Sequence, residues 1–381
     1  MSLPAAASQD HADLPAPWHS SSAIRAARDL LGSRLPLIQA PLAGVQRSAL
    51  ALAVCRAGGV GSLPAALLPP EALQQELQLL SSGTDQPYNV NFFAHIPPLP
   101  DPAREARWRD RLAPYFTEYG VDPSTITAGV GRQPFNHEVA DLVEVFKPPI
   151  VSFHFGLPAP DLLARVKSWG SRVLSSATTV EEAVWLQAHG ADGVIAQGWE
   201  AGGHRGHFLS ADLTRQAGLM ALLPQVVKAV SIPVIATGGI TDAASVRAAL
   251  ALGAGAVQVG TAFMLSNEAI TPAPHRQALR QPDLHHTAVT NLMTGRPARG
   301  IVNRLMREVG PINELAPAFP LAGNALAPLR AKAEAQGSGD FSPLWAGQNF
   351  SGLKELPAAD LVAALAEGFG DGIAEQGNAA V

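Results

Sequence analysis

Eight short runs rich in apolar and β-branched residues, at 35–43, 59–64, 89–93, 150–155, 172–177, 193–197, 233–237 and 256–260, alternate along this chain with segments of helical pattern. That alternation is the strongest constraint on the fold. Strands separated by helices pair in parallel, and parallel strands need both faces covered and right-handed crossovers. The helical patterns at 179–189 and 241–252 are the clearest: each opens on a threonine, has carboxylates in its first turn and is followed by a glycine, Gly190 or Gly253. Eight such units close most economically as an α/β fold of the (β/α)8 TIM-barrel type. An open doubly wound sheet would carry a GxGxxG turn after its first strand, and here Ala40 to Gly44 reads Ala-Pro-Leu-Ala-Gly.

The chain has 381 residues, against ~250 for one barrel. The surplus divides into an N-terminal extension and leading helix (1–34), a barrel (35–264), a small helical C-terminal lobe placed as a lid (265–345) and a segment returning to the barrel (346–381). Residues 1–20 read as a loose extension, and 94–123 as a Pro-rich, polar excursion after the third strand. The longest uncharged stretch, 248–266, is long enough to span a bilayer, but its glycines, Gln258 and Thr261 break it into a helix end and a strand. No membrane association is expected. A net charge of -5 with no basic run gives nothing to track phosphates, so nucleic acid is not an expected partner. The single cysteine, Cys55, excludes a disulfide framework and suits a reducing compartment, so the expected location is cytoplasmic.

In such barrels the loops after the strands build the site, and phosphate groups lie after strands seven and eight. Both loops are glycine-rich here: Thr237-Gly238-Gly239-Ile240, and Gln258-Val259-Gly260-Thr261. Glycines there let backbone N–H groups approach phosphate oxygens, and a helix starting near Thr241 would aim its positive end at the same anion. Asn91 and Gln197 are amides at strand ends, offering both donors and acceptors, as the O2–N3–O4 edge of an isoalloxazine ring requires. His204 lies in the glycine-rich loop Gln197-Gly-Trp-Glu-Ala-Gly-Gly-His-Arg-Gly206, where a histidine can exchange a proton or stabilise an anion near neutral pH. His154, in Val151-Ser-Phe-His-Phe-Gly156, ends the fourth strand and points either into the same mouth or into the core. His204 and His207 have metal-ligand spacing, but no cysteine or carboxylate pair completes a shell, and no metal is expected.

With Gln39-Ala-Pro-Leu-Ala-Gly44 and Leu344-Trp-Ala-Gly-Gln348, these motifs make six in order, and the chain from about residue 35 to 348 resembles the class I nitronate monooxygenases, formerly 2-nitropropane dioxygenases. The resemblance implies a barrel holding noncovalent FMN that oxidises alkyl nitronates, such as propionate 3-nitronate, with O2 to a carbonyl compound and nitrite. It implies flavin contacts at Gln39, Asn91, Gln197, Gly202, Gly203, Gly238, Gly239, Gln258, Val259, Gly260, Thr261 and Gln348, and active-site roles for His204 and His154. A homodimer is compatible with it. Two features depart from the family pattern: Leu42 stands where methionine is usual, and Tyr88, Tyr115 and Tyr119 are the only tyrosines, whereas members often place tyrosines and a lysine over the substrate. An NAD(P)H-fed flavin reductase, acting on a quinone or an enoyl thioester, is the alternative on the same barrel, and a flavin-binding signalling module is a more distant one.

Overall fold

A computed structural model describes residues 21–126, 133–284 and 286–370; the loose extension expected at 1–20 and the last residues of the expected C-terminal segment, 371–381, lie outside them. Eight parallel strands form the central sheet: β1 (Leu37–Gln39), β2 (Gly61–Pro64), β3 (Tyr88–Phe93), β4 (Ile150–His154), β5 (Arg172–Ala177), β6 (Gly193–Gln197), β8 (Val234–Thr237) and β9 (Ala256–Val259). Between β6 and β8 lies a two-residue strand outside the barrel, β7 (Gly203–His204). The sheet runs β1-β9-β8-β6-β5-β4-β3-β2, and a parallel bridge between Ile38 and Val60 joins its two ends. Gln39 N donates to Val60 O at 2.9 Å and Val60 N to Leu37 O at 2.8 Å, so the sheet closes into the expected (β/α)8 TIM barrel. Closure removes every free edge, and the strands are buried on both faces, which is why they read as near-continuous apolar runs.

The helix Ser21–Leu31 plugs the N-terminal end of the barrel, its Ala27 and Leu31 packing with Ile38, Val60, Ile150, Leu174, Ile195 and Ile235. Side-chain-free Gly255 allows that approach, since a Cβ there would sit 2.5 Å from Ala23 O. The helix Val180–Ala188 is capped by Thr179, whose side chain accepts from Glu182 N. The second expected helix, Ala243–Ala251, begins later than Thr241: its cap is Asp242, which forms a reciprocal capping box with Ser245, and there is no carboxylate in its first turn.

The lobe differs from the expected helical one in two respects. Strands β10 (Thr287–Thr290) and β11 (Ala298–Ile301) form a hairpin that pairs antiparallel with β7, so a small sheet ties the lobe to the loop after β6. The excursion after β3 also contributes, as the helix Pro102–Tyr119. Its Trp108 donates Nε1 to Ala322 O at 3.2 Å, and Trp108, Leu112 and Phe116 pack with Leu326 and Leu329 of the helix Ala322–Ala335. A helix stripe that apolar cannot face water, so the excursion folds onto the lobe rather than hanging free. No described helix is long and apolar enough to cross a membrane.

Candidate active site

One large cavity opens at the C-terminal ends of the barrel strands and is roofed by the lobe, through Pro272, His275, Ser342, Leu344 and Trp345 among others. Its floor is polar because strand-end side chains alternate into it. Asn91 of β3 lines the cavity and donates Nδ2 to Ser152 Oγ at 2.9 Å. Gln258 of β9 also lines the cavity, and its Oε1 is buried with no hydrogen-bond partner. Thr241 Oγ1, on the same wall, is in the same condition. Buried acceptors are nearly always satisfied, so two orphans on one cavity wall mark positions where a ligand supplies the donor.

Gln197 is differently committed. Its Nε2 donates to His204 O at 3.0 Å and its Oε1 accepts from Gly206 N at 2.8 Å, so the amide staples the loop that carries His204. His154 acts on the same carbonyl: its Nε2 lies 3.0 Å from His204 O and its Nδ1 2.9 Å from Ser176 Oγ. A carbonyl only accepts, so Nε2 carries the proton and Nδ1 accepts from the serine. Burial, with Arg296 and Arg205 nearby, pushes the His154 pKa down to about 4, the bond to His204 O opposing it, and the ring is neutral near pH 7. Arg205 completes the clamp. Wholly buried, it donates to Gln197 O (3.1 Å), Gly198 O (2.8 Å) and Gln216 Oε1 (2.8 Å), using the planar fork that only arginine offers.

With its backbone held, His204 turns its ring to the cavity, and its Nε2 lies 2.9 Å from Thr294 Oγ1 of the lobe. A hydroxyl can donate or accept, so this contact serves either ring protonation state. Across the mouth, Gly238 (φ +118°) and Gly239 (φ +71°) sit in conformations that side-chain-bearing residues rarely adopt. Gly202 is required for another reason: a Cβ would lie 2.5 Å from Gly347 N. These turns, with Gly260 and Thr261, present backbone to the cavity where the phosphate of a cofactor is expected. At the start of the helix after Gly239, the capping box takes up the N–H groups of Asp242 and Ser245. The donor set fits a flavin: glycine turns for a phosphate, and unpaired acceptors for a ring N–H.

The cavity thus brings together Asn91, His154, Gln197, Gly202, Gly203, His204, Gly238, Gly239, Gln258, Gly260 and Thr261. Three expected contacts fall away from it. Gln39 is buried beneath it, bonded to Gln46 and accepting from Ser62 N, so it stitches β1 to β2. Val259 is a core side chain whose carbonyl accepts from Ala40 N. Gln348 points to solvent while its N donates to Glu200 O, and its neighbours Gly347 and Asn349 line the cavity instead. Sequence reading missed Thr294 and Ser176, which carry no motif of their own and reach the site only through the lobe or the strand register; Trp345 stands in one of the six motifs but was given no role there. Tyr88 is packed in the barrel wall, and Tyr115 and Tyr119 meet Phe341 edge-on inside the lobe, and none of the three lines the cavity.

Comparison with known proteins agrees with this geometry. Residues 25–368 match the family described as nitronate monooxygenase. The chain is 42% identical over 341 residues to a nitronate monooxygenase of Pseudomonas aeruginosa, covering 89% of this chain and 97% of that protein. A crystal structure of nitroalkane oxidase from Streptomyces ansochromogenes superposes with a TM-score of 0.81 at 40% identity, covering 90% of this chain and 99% of that one. FabK from Thermotoga maritima is less similar, with a TM-score of 0.68 at 25% identity over 92% of this chain and 97% of that one. The family is one of flavin-dependent oxidoreductases, and on this evidence the chain belongs to the nitronate monooxygenase family.

Proposed function

We propose that this protein uses noncovalent FMN to oxidise alkyl nitronates with O2, giving a carbonyl compound and nitrite. The observation that carries the reading is the convergence, in one cavity of a chain matching the family from 25 to 368, of left-handed glycine turns, an orphaned amide acceptor and a histidine. When bound, the flavin supplies the acceptor for the electrons leaving the substrate. The chain's own groups do the rest. Backbone N–H groups around Gly238, Gly239, Gly260 and Thr261 would take the phosphate, Gln258 Oε1 would accept from the ring's single edge N–H, and Asn91 would lie along the same edge. His204 faces the substrate. Towards a nitronate, already an anion, its ring donates; towards a neutral nitroalkane it removes the α-proton. His154, neutral and doubly bonded, positions the His204 backbone and takes no proton itself. The lobe acts as a lid that excludes water. A cytoplasmic location and a homodimeric assembly belong to the same reading.

Anaerobic stopped-flow mixing tests it. Propyl-2-nitronate should bleach the flavin absorbance rapidly, and NADH and NADPH slowly or not at all. Fast bleaching by a nicotinamide with none by nitronates would favour the quinone or enoyl thioester reductase instead.

A further inference from the structure

The wall beside His204 is built of aromatic rings. The ring centroids of Phe319, Trp345, Phe155 and Phe93 lie 5.4, 5.5, 5.9 and 6.2 Å from that of His204, edge-on or tilted. Phe93 and Trp345 line the cavity itself. Phe155, behind them, takes a left-handed backbone (φ +73°), rare for a side chain of this bulk, and the guanidinium of Arg296 caps its ring at 4.0 Å. A strained residue held by its surroundings at a site mouth suggests that the position of its ring matters to the site. The hydroxyl nearest His204, that of Thr294, is already its partner. Among the described residues lining the cavity there is no lysine, and the only guanidinium is Arg330, whose Nε is bound to Glu334 at 2.7 Å; Glu334 also accepts from Ser342 Oγ.

We propose that the substrate subsite beside His204 is apolar and aromatic, and that it selects nitronates with a hydrocarbon chain over nitronates that carry a second anionic group. The inference rests on the nitronate reading above and narrows it. The nitronate head keeps its polar partners, but a carboxylate at the far end of the substrate would lose water against phenyl and indole faces, and the one cation within the cavity wall already has a carboxylate beside it. A hydrocarbon end of the same shape gains from the same burial.

The test compares the wild-type holoenzyme on propionate 3-nitronate and 3-methylbutyl-1-nitronate, in which an isopropyl group replaces the carboxylate at nearly equal volume. The expected kcat/KM is at least ~10-fold higher for the hydrocarbon substrate. Trp345→Ala, with flavin content checked, should shrink that ratio at least ~3-fold by removing aromatic surface. Equal or faster oxidation of propionate 3-nitronate by the wild type would overturn the apolar subsite and leave the nitronate reading standing. Failure of both substrates to reduce the flavin anaerobically would overturn the two together. A ratio unmoved by Trp345→Ala would remove the aromatic wall as its cause.

Discussion

His204 can change protonation state without losing its partner, because Thr294 Oγ1 at 2.9 Å from Nε2 donates or accepts as required. His204→Asn keeps a donor but removes the titration. If the ring is the base for neutral nitroalkanes, their turnover should drop ~10²- to 10⁴-fold while preformed nitronates keep most of their rate. If it serves as the anion's donor, both substrates should suffer, chiefly in KM for the nitronate. Steady-state kinetics on the two forms at fixed pH separate the roles, and unchanged activity on both removes His204 from the mechanism. Three buried histidines behave differently. Burial depresses His154 and His275 to about 4 and His207 to about 3, from an ordinary value of 6.5. Between pH 6.5 and about 4 the unfolded chain therefore binds protons that the folded chain refuses. The stability these groups contribute is fully present above pH 6.5 and is lost as pH falls through that window. Calorimetric scans should show Tm falling by roughly 5–10 °C from pH 7 to pH 4, with His207→Asn flattening the slope.

At the scale of elements, two junctions govern the site: the pairing of β7 with β11, and the start of the helix Ala243–Ala251. The first explains why a loop can be as rigid as a strand. Gly203 and His204 pair with Arg299 and Ala298, Arg205 N donates to Pro297 O at 2.8 Å, and Arg205 and Gln197 clamp the loop from below. At the second junction, Asp242 accepts from Ser245 N at 2.8 Å, which holds a carboxylate one residue beyond Thr241 of the wall where the flavin phosphate is proposed. Asp242→Ala should cost about 1 kcal/mol of stability through the lost cap. It should not weaken FMN binding, and should tighten it by removing a like charge from the phosphate's neighbourhood. Chemical denaturation of the flavin-free protein and a fluorescence titration with FMN check the two halves. Weakened FMN binding would mean the helix start itself contacts the phosphate.

Across the whole molecule, the cavity lies between barrel and lobe, so its ligand bridges two packed bodies with separate hydrophobic clusters. FMN should therefore stabilise the entire chain. At a concentration 100 times the dissociation constant the linkage is about 2.7 kcal/mol, seen as a rise of several degrees in Tm. Riboflavin, lacking the phosphate that the glycine turns would hold, should give much less. Heat or acid should release free FMN from the yellow protein; flavin retained by the denatured chain, or release of FAD, would contradict the noncovalent reading.

The barrel was legible in the sequence because its signal is local and repeated. Parallel strands buried on both faces must be apolar throughout, and all eight runs became strands within one or two residues of the expected bounds at most of their ends. The glycine turns and the His204 loop were legible too, since residues with side chains rarely adopt φ +118° and +71° as at Gly238 and Gly239, and a Cβ would not fit the close approach at Gly202. What could not be read were contacts made across long separations. Ser176 and Thr294 carry no pattern that marks them, Trp345 sits in a motif that does not say where its ring goes, and they reach His154, His204 and the cavity only once strands register and the lobe docks. Gln39 and Gln348 share motifs with true cavity residues, yet one is turned beneath the floor and the other to solvent, because a one-residue step along extended chain reverses the side chain's direction. Residue type and periodicity thus determined the barrel and the chemistry at its mouth. Tertiary packing alone decided that Gln258 keeps an unpaired oxygen there, and which rings line the cavity.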